Sequence, residues 1–179
     1  MDNFCKIKIE PNFLSYEECD FLKSFAENNP SIFKDRRTFL PNYGMKRDLG
    51  NYVSCQFSRE CFKDIFLKHL NIEFNGFPVK EVQLNKYEVG HFIPPHKDIQ
   101  FSLHTVIVPL QDDSKNKLVT GDDSCYYDNI SLEESDKQNR TKSFPDIKGI
   151  GYRFDGNNVV HWVPRTNSKR YSATFLYSI

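Results

Sequence analysis

The chain has 179 residues, the length of one domain with interior enough for a core. Lys plus Arg equals Asp plus Glu at 24 each, so no net field draws it to nucleic acid or an anionic membrane. No apolar run approaches bilayer-spanning length, Met1 to Glu10 lacks the basic-then-apolar pattern of a signal peptide, and the five cysteines contain no Cys-x-x-Cys pair, so reduced thiols in a cytoplasmic protein are expected.

Cys5 to Glu10 alternates like a strand. Ser15 and Glu18 have capping-box spacing for a helix to about Asn28, with Cys19, Leu22, Phe25 and Ala26 on the side that should lie against a sheet. Pro30 to Leu49 is irregular and charged, a solvated loop or one that contacts substrate. Asn51 to Phe57 reads as a short strand. A helix from about Arg59 to Leu70 should follow, capped by Ser58. Asn75 to Pro78 is a turn. From Val79 to Tyr87 the alternation puts Asn85 and Tyr87 on one face of a strand, and His104 to Leu110 is apolar enough to be buried on both sides. Gln111 to Lys148 is polar and is expected to be one long loop, lid-like or disordered, broken only by a strand at about Ser124 to Tyr127. Gly149 to Phe154, Asn158 to Pro164 and Lys169 to Tyr177 complete the strands, with Asp155-Gly156-Asn157 read as a hairpin turn. Nothing suggests a repeat or a second domain. The expected layout is a helical support region over 1–78 and a β core over 79–179.

The residues that suggest chemistry begin at His96-Lys97-Asp98. In extended chain, positions i and i+2 share a face, so one strand end can offer an imidazole and a carboxylate to one metal ion. About sixty residues later the apolar run Val159 to Pro164 carries His161. Nine residues after it comes Arg170, with Ser172 two further on. Two His and one carboxylate with open positions suit non-haem Fe(II). An arginine fork on the next strand suits a dicarboxylate.

With these residues in place, the chain resembles the Fe(II)- and 2-oxoglutarate-dependent oxygenases, most closely their prolyl-4-hydroxylase-like branch. The likeness runs from Ile9-Glu10-Pro11-Asn12-Phe13-Leu14 through Tyr87-x-x-Gly90 and His96-x-Asp98 to His161 and Arg170. It implies an α+β, mainly β fold, a double-stranded β-helix of jelly-roll or cupin type with N-terminal helices packed on one sheet. It implies a hydroxylase acting on a peptidyl or amino-acid substrate, releasing succinate and CO2. His96, Asp98 and His161 would hold iron. Arg170 would clamp the far carboxylate of 2-oxoglutarate, with Tyr87, Ser172 and Asn85 as further contacts. The cosubstrates would be 2-oxoglutarate and O2, and the resemblance allows ascorbate as an accessory.

Departures keep other readings open. The Gly-Gly-Glu-Thr-type segment common in the branch has only Val119 to Ser124 as its counterpart. Asn85-x-Tyr87 and Arg170-x-Ser172-x-Thr174 resemble the AlkB-type nucleic-acid demethylases, but Leu176 stands where those carry a second arginine. Ile93-Pro94-Pro95-His96 resembles the aspartyl/asparaginyl β-hydroxylases, which tend to lack the carboxylate that Asp98 supplies. A non-catalytic binding module would have no need of Arg170. Lys97, Pro94 and Pro95 read as structural, Arg165 as a loop cation or substrate contact, and His91 and His104 match no ligand position.

Overall fold

The computed structural model describes residues 7–35, 52–58, 73–74, 76–98, 104–123, 125 and 140–178. The expected helix at 59–70, all but Cys125 of the expected strand at 124–127, and the loop residues 36–51 and 128–139 lie outside these residues.

Helix α1 (Tyr16–Asn28) starts where its sequence says it should. The Ser15 side chain accepts from the Glu18 backbone N–H at 3.2 Å, and the Glu18 carboxylate accepts from the Ser15 N–H at 2.7 Å, closing the capping box. Cys19, Leu22 and Ala26 are buried on the face toward the sheet and Phe25 packs partly against it.

The strands are β1 (Lys8–Glu10), β2 (Lys34–Asp35), β3 (Val53–Ser58), β4 (Glu73–Phe74), β5 (Phe77–Tyr87), β6 (Ile93–His96), β7 (His104–Pro109), β8 (Asp113–Gly121), β9 (Thr141–Asp146), β10 (Gly151–Phe154), β11 (Val160–Val163) and β12 (Arg170–Tyr177). Among the described residues they form two antiparallel sheets. The larger runs β1-β10-β7-β12-β5-β3-β2, with β4 beside β5, and the smaller runs β6-β11-β8-β9. The core can be traced as one long hairpin. β8 pairs with β9 at its tip, then β7 with β10, β6 with β11 and β5 with β12, each pair lying in the opposite sheet to the one before. A hairpin wound this way is a jelly roll, the double-stranded β-helix expected from the resemblance.

Three expectations need correction. The stretch 111–148 is not one loop with a single strand in it: β8 and β9 occupy 113–121 and 141–146 and build half of the small sheet. Asp155 to Asn157 does turn the chain, with Val159 N–H bonded to Asp155 O at 2.9 Å. It is not a hairpin turn, because β10 belongs to the large sheet and β11 to the small one. The segment before Val79 also does more than support, since β2, β3 and β4 extend the large sheet.

Alternation along the large sheet separates two interiors. Leu84, Val82, Val106, Val108, Tyr171, Ala173 and Phe175 face α1 and the opening segment, where Phe13 meets Phe175 edge-on at 5.1 Å. The opposite face looks into the barrel, where Ile107, Leu118, Phe144, Tyr152, Phe154 and Val159 form a second apolar cluster. Asn85, Tyr87, Arg170, Ser172 and Thr174 lie on this barrel side by the same period of two, and all are buried. A polar strip thus runs along this wall of the barrel interior, beside the apolar cluster.

Candidate metal centre and buried arginine

Strand β6 is the edge of the small sheet, which is why it can hold Pro94 and Pro95, whose nitrogens have no hydrogen to give a neighbour. Its last residue, His96, lies directly opposite His161 of β11 in the register. Side chains so paired are nearest neighbours across a sheet, and the two imidazole centroids are 4.2 Å apart. Asp98 follows two residues on. Its Oδ1 lies 3.7 Å from His96 Nε2 and 3.6 Å from His161 Nε2. One ligand atom from each residue lies within 4.8 Å of the others, the span of a single ion's coordination shell.

Each imidazole is held in one tautomer. His96 Nδ1–H donates to Pro94 O at 2.9 Å and His161 Nδ1–H to Val159 O at 3.0 Å, which leaves both Nε2 lone pairs directed at Asp98. Burial, reinforced by His161, pushes His96 down to about 4, so it is the neutral ligand form at pH 7. His161 faces away from Trp162, toward His96 and Asp98. Trp162 packs with Val119, Val160 and Cys125 on the other face of the small sheet.

The carboxylate is positioned as closely as the rings. Thr105 Oγ1 donates to Asp98 Oδ2 at 2.6 Å, and the Asp98 N–H donates to Gly156 O at 2.8 Å, leaving Oδ1 for a metal. A Cβ on Gly156 would sit 2.6 Å from both Asp98 Oδ2 and Thr105 Oγ1, so only glycine fits there. Gly156→Ala is expected to displace the carboxylate and weaken Fe(II) or Mn(II) binding by about 10- to 100-fold, the usual cost of disturbing a ligand's support. Metal titration followed by circular dichroism of the same sample checks that affinity falls while the sheet remains.

Arg170 opens β12, fully buried, with its Cα opposite Tyr87. Its guanidinium lies 5.1 Å from the Tyr87 ring centre, and Nη1 donates to Ser172 Oγ at 3.3 Å. Burial pushes the Tyr87 phenol well above its usual range, so it remains a hydrogen-bond donor. Asn85 is one step removed, because its amide donates to Thr174 Oγ1 at 3.0 Å. The partner that sequence reasoning missed is Asp146, at the end of β9. Arg170 Nε and Nη2 donate to its two carboxylate oxygens at 2.6 and 2.9 Å. Arg170 thus has a structural partner, and its presence alone does not speak against a binding module. The His-Asp-His set carries that weight.

Other candidates resolve away from the ligands. Arg165 donates to Gly90 O at 3.3 Å and covers the Phe92 ring at 4.4 Å, joining the β11–β12 and β5–β6 loops. Gly90 supplies the turn ahead of β6 with φ of +83°. Lys97 pairs with Asp123 at 2.8 Å. His104 tilts against Phe77 at 6.4 Å, and neither it nor His91 joins the metal cluster.

No family model matches the sequence, and no curated protein does. Solved structures do match. A viral collagen prolyl hydroxylase from Paramecium Bursaria Chlorella virus-1, in a 2-oxoglutarate complex, is 15% identical over 97% of this chain and 96% of that one, with a TM-score of 0.56. A prolyl hydroxylase from Trichoplax adhaerens, bound to a peptide fragment of the hypoxia inducible factor oxygen degradation domain, is 13% identical over 98% and 83%, with a TM-score of 0.65. HygX from Streptomyces hygroscopicus, with nickel, 2-oxoglutarate and hygromycin B bound, is 12% identical over 96% and 82%, with a TM-score of 0.58. At identities this low the likeness is one of architecture: the chain has the jelly-roll fold of the 2-oxoglutarate- and Fe(II)-dependent oxygenases, the prolyl hydroxylases among them.

Proposed function

We propose that this chain is an Fe(II)- and 2-oxoglutarate-dependent dioxygenase that hydroxylates an amino-acid residue in a peptide or protein, proline first. The observation that carries the reading is the convergence of His96 Nε2, Asp98 Oδ1 and His161 Nε2, with both imidazoles already held in the ligand tautomer. Two neutral nitrogens and one carboxylate oxygen are a donor set that fits Fe(II) and leaves adjacent positions open. Iron held there would use O2 to couple the oxidative decarboxylation of 2-oxoglutarate, giving CO2 and a succinate that takes one oxygen atom, with insertion of the other oxygen atom into a nearby C–H. The protein's own part is positioning. His96, Asp98 and His161 fix the ion at the barrel end. Arg170, Ser172 and Tyr87 offer charge and N–H or O–H donors to the far carboxylate from the polar wall. Phe154, whose ring lies 4.6 Å from that of His161, presents an apolar surface to that side of the site.

The preference for a peptidyl substrate rests on the opening segment and the His-to-Arg spacing. The neighbouring folds include one bound to a peptide and one bound to hygromycin B, so architecture alone leaves the substrate class open. Anaerobic addition of Fe(II) and 2-oxoglutarate is expected to produce a visible metal-to-ligand absorption band, which His96→Ala removes. Absence of the band, or a band indifferent to that substitution, ends the proposal. Mass spectrometry of candidate proline peptides for a gain of one oxygen tests the substrate.

A further inference from the structure

The arginine proposed as the anchor for a dicarboxylate already holds one carboxylate of the chain itself. Asp146 takes the side fork of Arg170, Nε and Nη2, at 2.6 and 2.9 Å. Both side chains are almost wholly shielded, at 1% and 0% side-chain exposure. Nη1 also donates to Ser172 Oγ at 3.3 Å, so three of the five guanidinium N–H groups are engaged and the two left are on Nη1 and Nη2, at the end of the side chain. The donor count thus permits a second carboxylate on the same guanidinium, one from the chain and one from outside.

Charge makes that arrangement costly. The Arg170–Asp146 pair is neutral, and a second carboxylate entering the same buried space leaves one negative charge uncompensated. Like charges sharing a shielded site repel strongly. Burial already drives the Asp146 carboxyl above its ordinary range against the pull of Arg170. Without a ligand the account reverses. A buried guanidinium with no counter-charge would destabilise the barrel, and Asp146 prevents that.

We propose that Asp146 is a built-in counter-ion that stands in for the distal carboxylate of the cosubstrate. It keeps the empty pocket folded and holds down the pocket's affinity for a dicarboxylate. This rests on the reading of Arg170 as the cosubstrate's anchor. It makes Asp146 a positioning and affinity-setting residue, placed at the end of a strand that, among the described residues, pairs only with β8. The signature is a pair of effects with opposite signs. A residue with a purely structural role would, when replaced, lower stability and affinity together.

The test compares wild type, Asp146→Asn and Asp146→Glu by thermal unfolding with and without glutarate, with no metal present, and by anaerobic titration of 2-oxoglutarate into the Fe(II)-loaded protein. D146N is expected to melt lower than wild type when empty, to be raised more by glutarate, and to bind 2-oxoglutarate roughly tenfold tighter or more. D146E retains the charge and should keep wild-type affinity. Equal or weaker binding by D146N, with wild type binding normally, overturns the inference and leaves the parent reading standing. Binding by none of the three proteins takes down both. Should D146N not fold when empty, the proposal requires that glutarate restore its folding, and failure to do so overturns it.

Discussion

Replacing His161 with alanine is expected to leave a folded barrel and lower 2-oxoglutarate turnover by at least about 10³-fold. Disturbing a metal ligand's support already costs about 10- to 100-fold, and this change removes the ligand itself. The stability cost is smaller. The ring is buried, gives its Nδ1–H to Val159 O, and lies 4.6 Å from the Phe154 ring. Losing one buried hydrogen bond and a ring contact amounts to about 1–3 kcal/mol. If His161 were only a core histidine, that would be the whole effect. Succinate release under saturating Fe(II), together with a urea unfolding curve, separates the two. His104→Ala is the control, because His104 lies by Phe77 and outside the metal cluster, so turnover should be retained. A His161→Ala protein that unfolds earlier but turns over normally would remove it from the ligand set.

What the sequence disclosed and what it hid divide along physical lines. The convergence of His96, Asp98 and His161 was legible because metal chemistry restricts residue type, and the period of two restricts which residues can share a face. Helix α1 was legible because its cap and its buried stripe are local signals. β8 and β9 were not. In β8 the polar half, Asp113 to Asn116, is held by partners rather than by apolar burial: Asn116 is buried, with its amide on Ser168 Oγ at 2.8 Å and its oxygen on the Asn167 N–H at 3.0 Å. In β9 only Phe144 and Asp146 are buried, and Asp146 is buried because Arg170, 24 residues on, faces it. A hydropathy pattern cannot register an ion pair as an inward-facing position. Pro145 is accommodated in β9 because, among the described residues, that strand is an edge, where a missing N–H is tolerated. The turn at Asp155 to Asn157 misled for a related reason. A tight turn has the same local sequence whether its strands pair or part into two sheets, and only the register of β10 and β11 with other strands decides. Gly156 and Thr105 escaped notice because their role is defined against Asp98, which no spacing rule connects to them.

Arg170→Met is the second large effect, and it acts on two quantities at once. It takes away the charged fork, and two charge-assisted hydrogen bonds at roughly 1.5–3 kcal/mol each make that about a 10²- to 10⁴-fold loss in 2-oxoglutarate affinity. It also leaves Asp146 buried without a partner, a loss of about 3–5 kcal/mol in stability. Affinity measured on R170M alone would therefore confuse a damaged pocket with a damaged fold. The double variant Arg170→Met/Asp146→Asn separates them, because removing both charges together spares the barrel an unpaired ion. Its stability should return most of the way to wild type, while dicarboxylate binding stays lost. The coupling between the two positions, read from the four proteins by denaturant unfolding, should be of the size seen for side chains in direct contact, up to about 3 kcal/mol. Near-additive stabilities would mean that the pair is not closed in solution. Recovered binding in the double variant would mean that Arg170 anchors the fold and not the cosubstrate, and the dicarboxylate would then have to be held elsewhere on the polar wall.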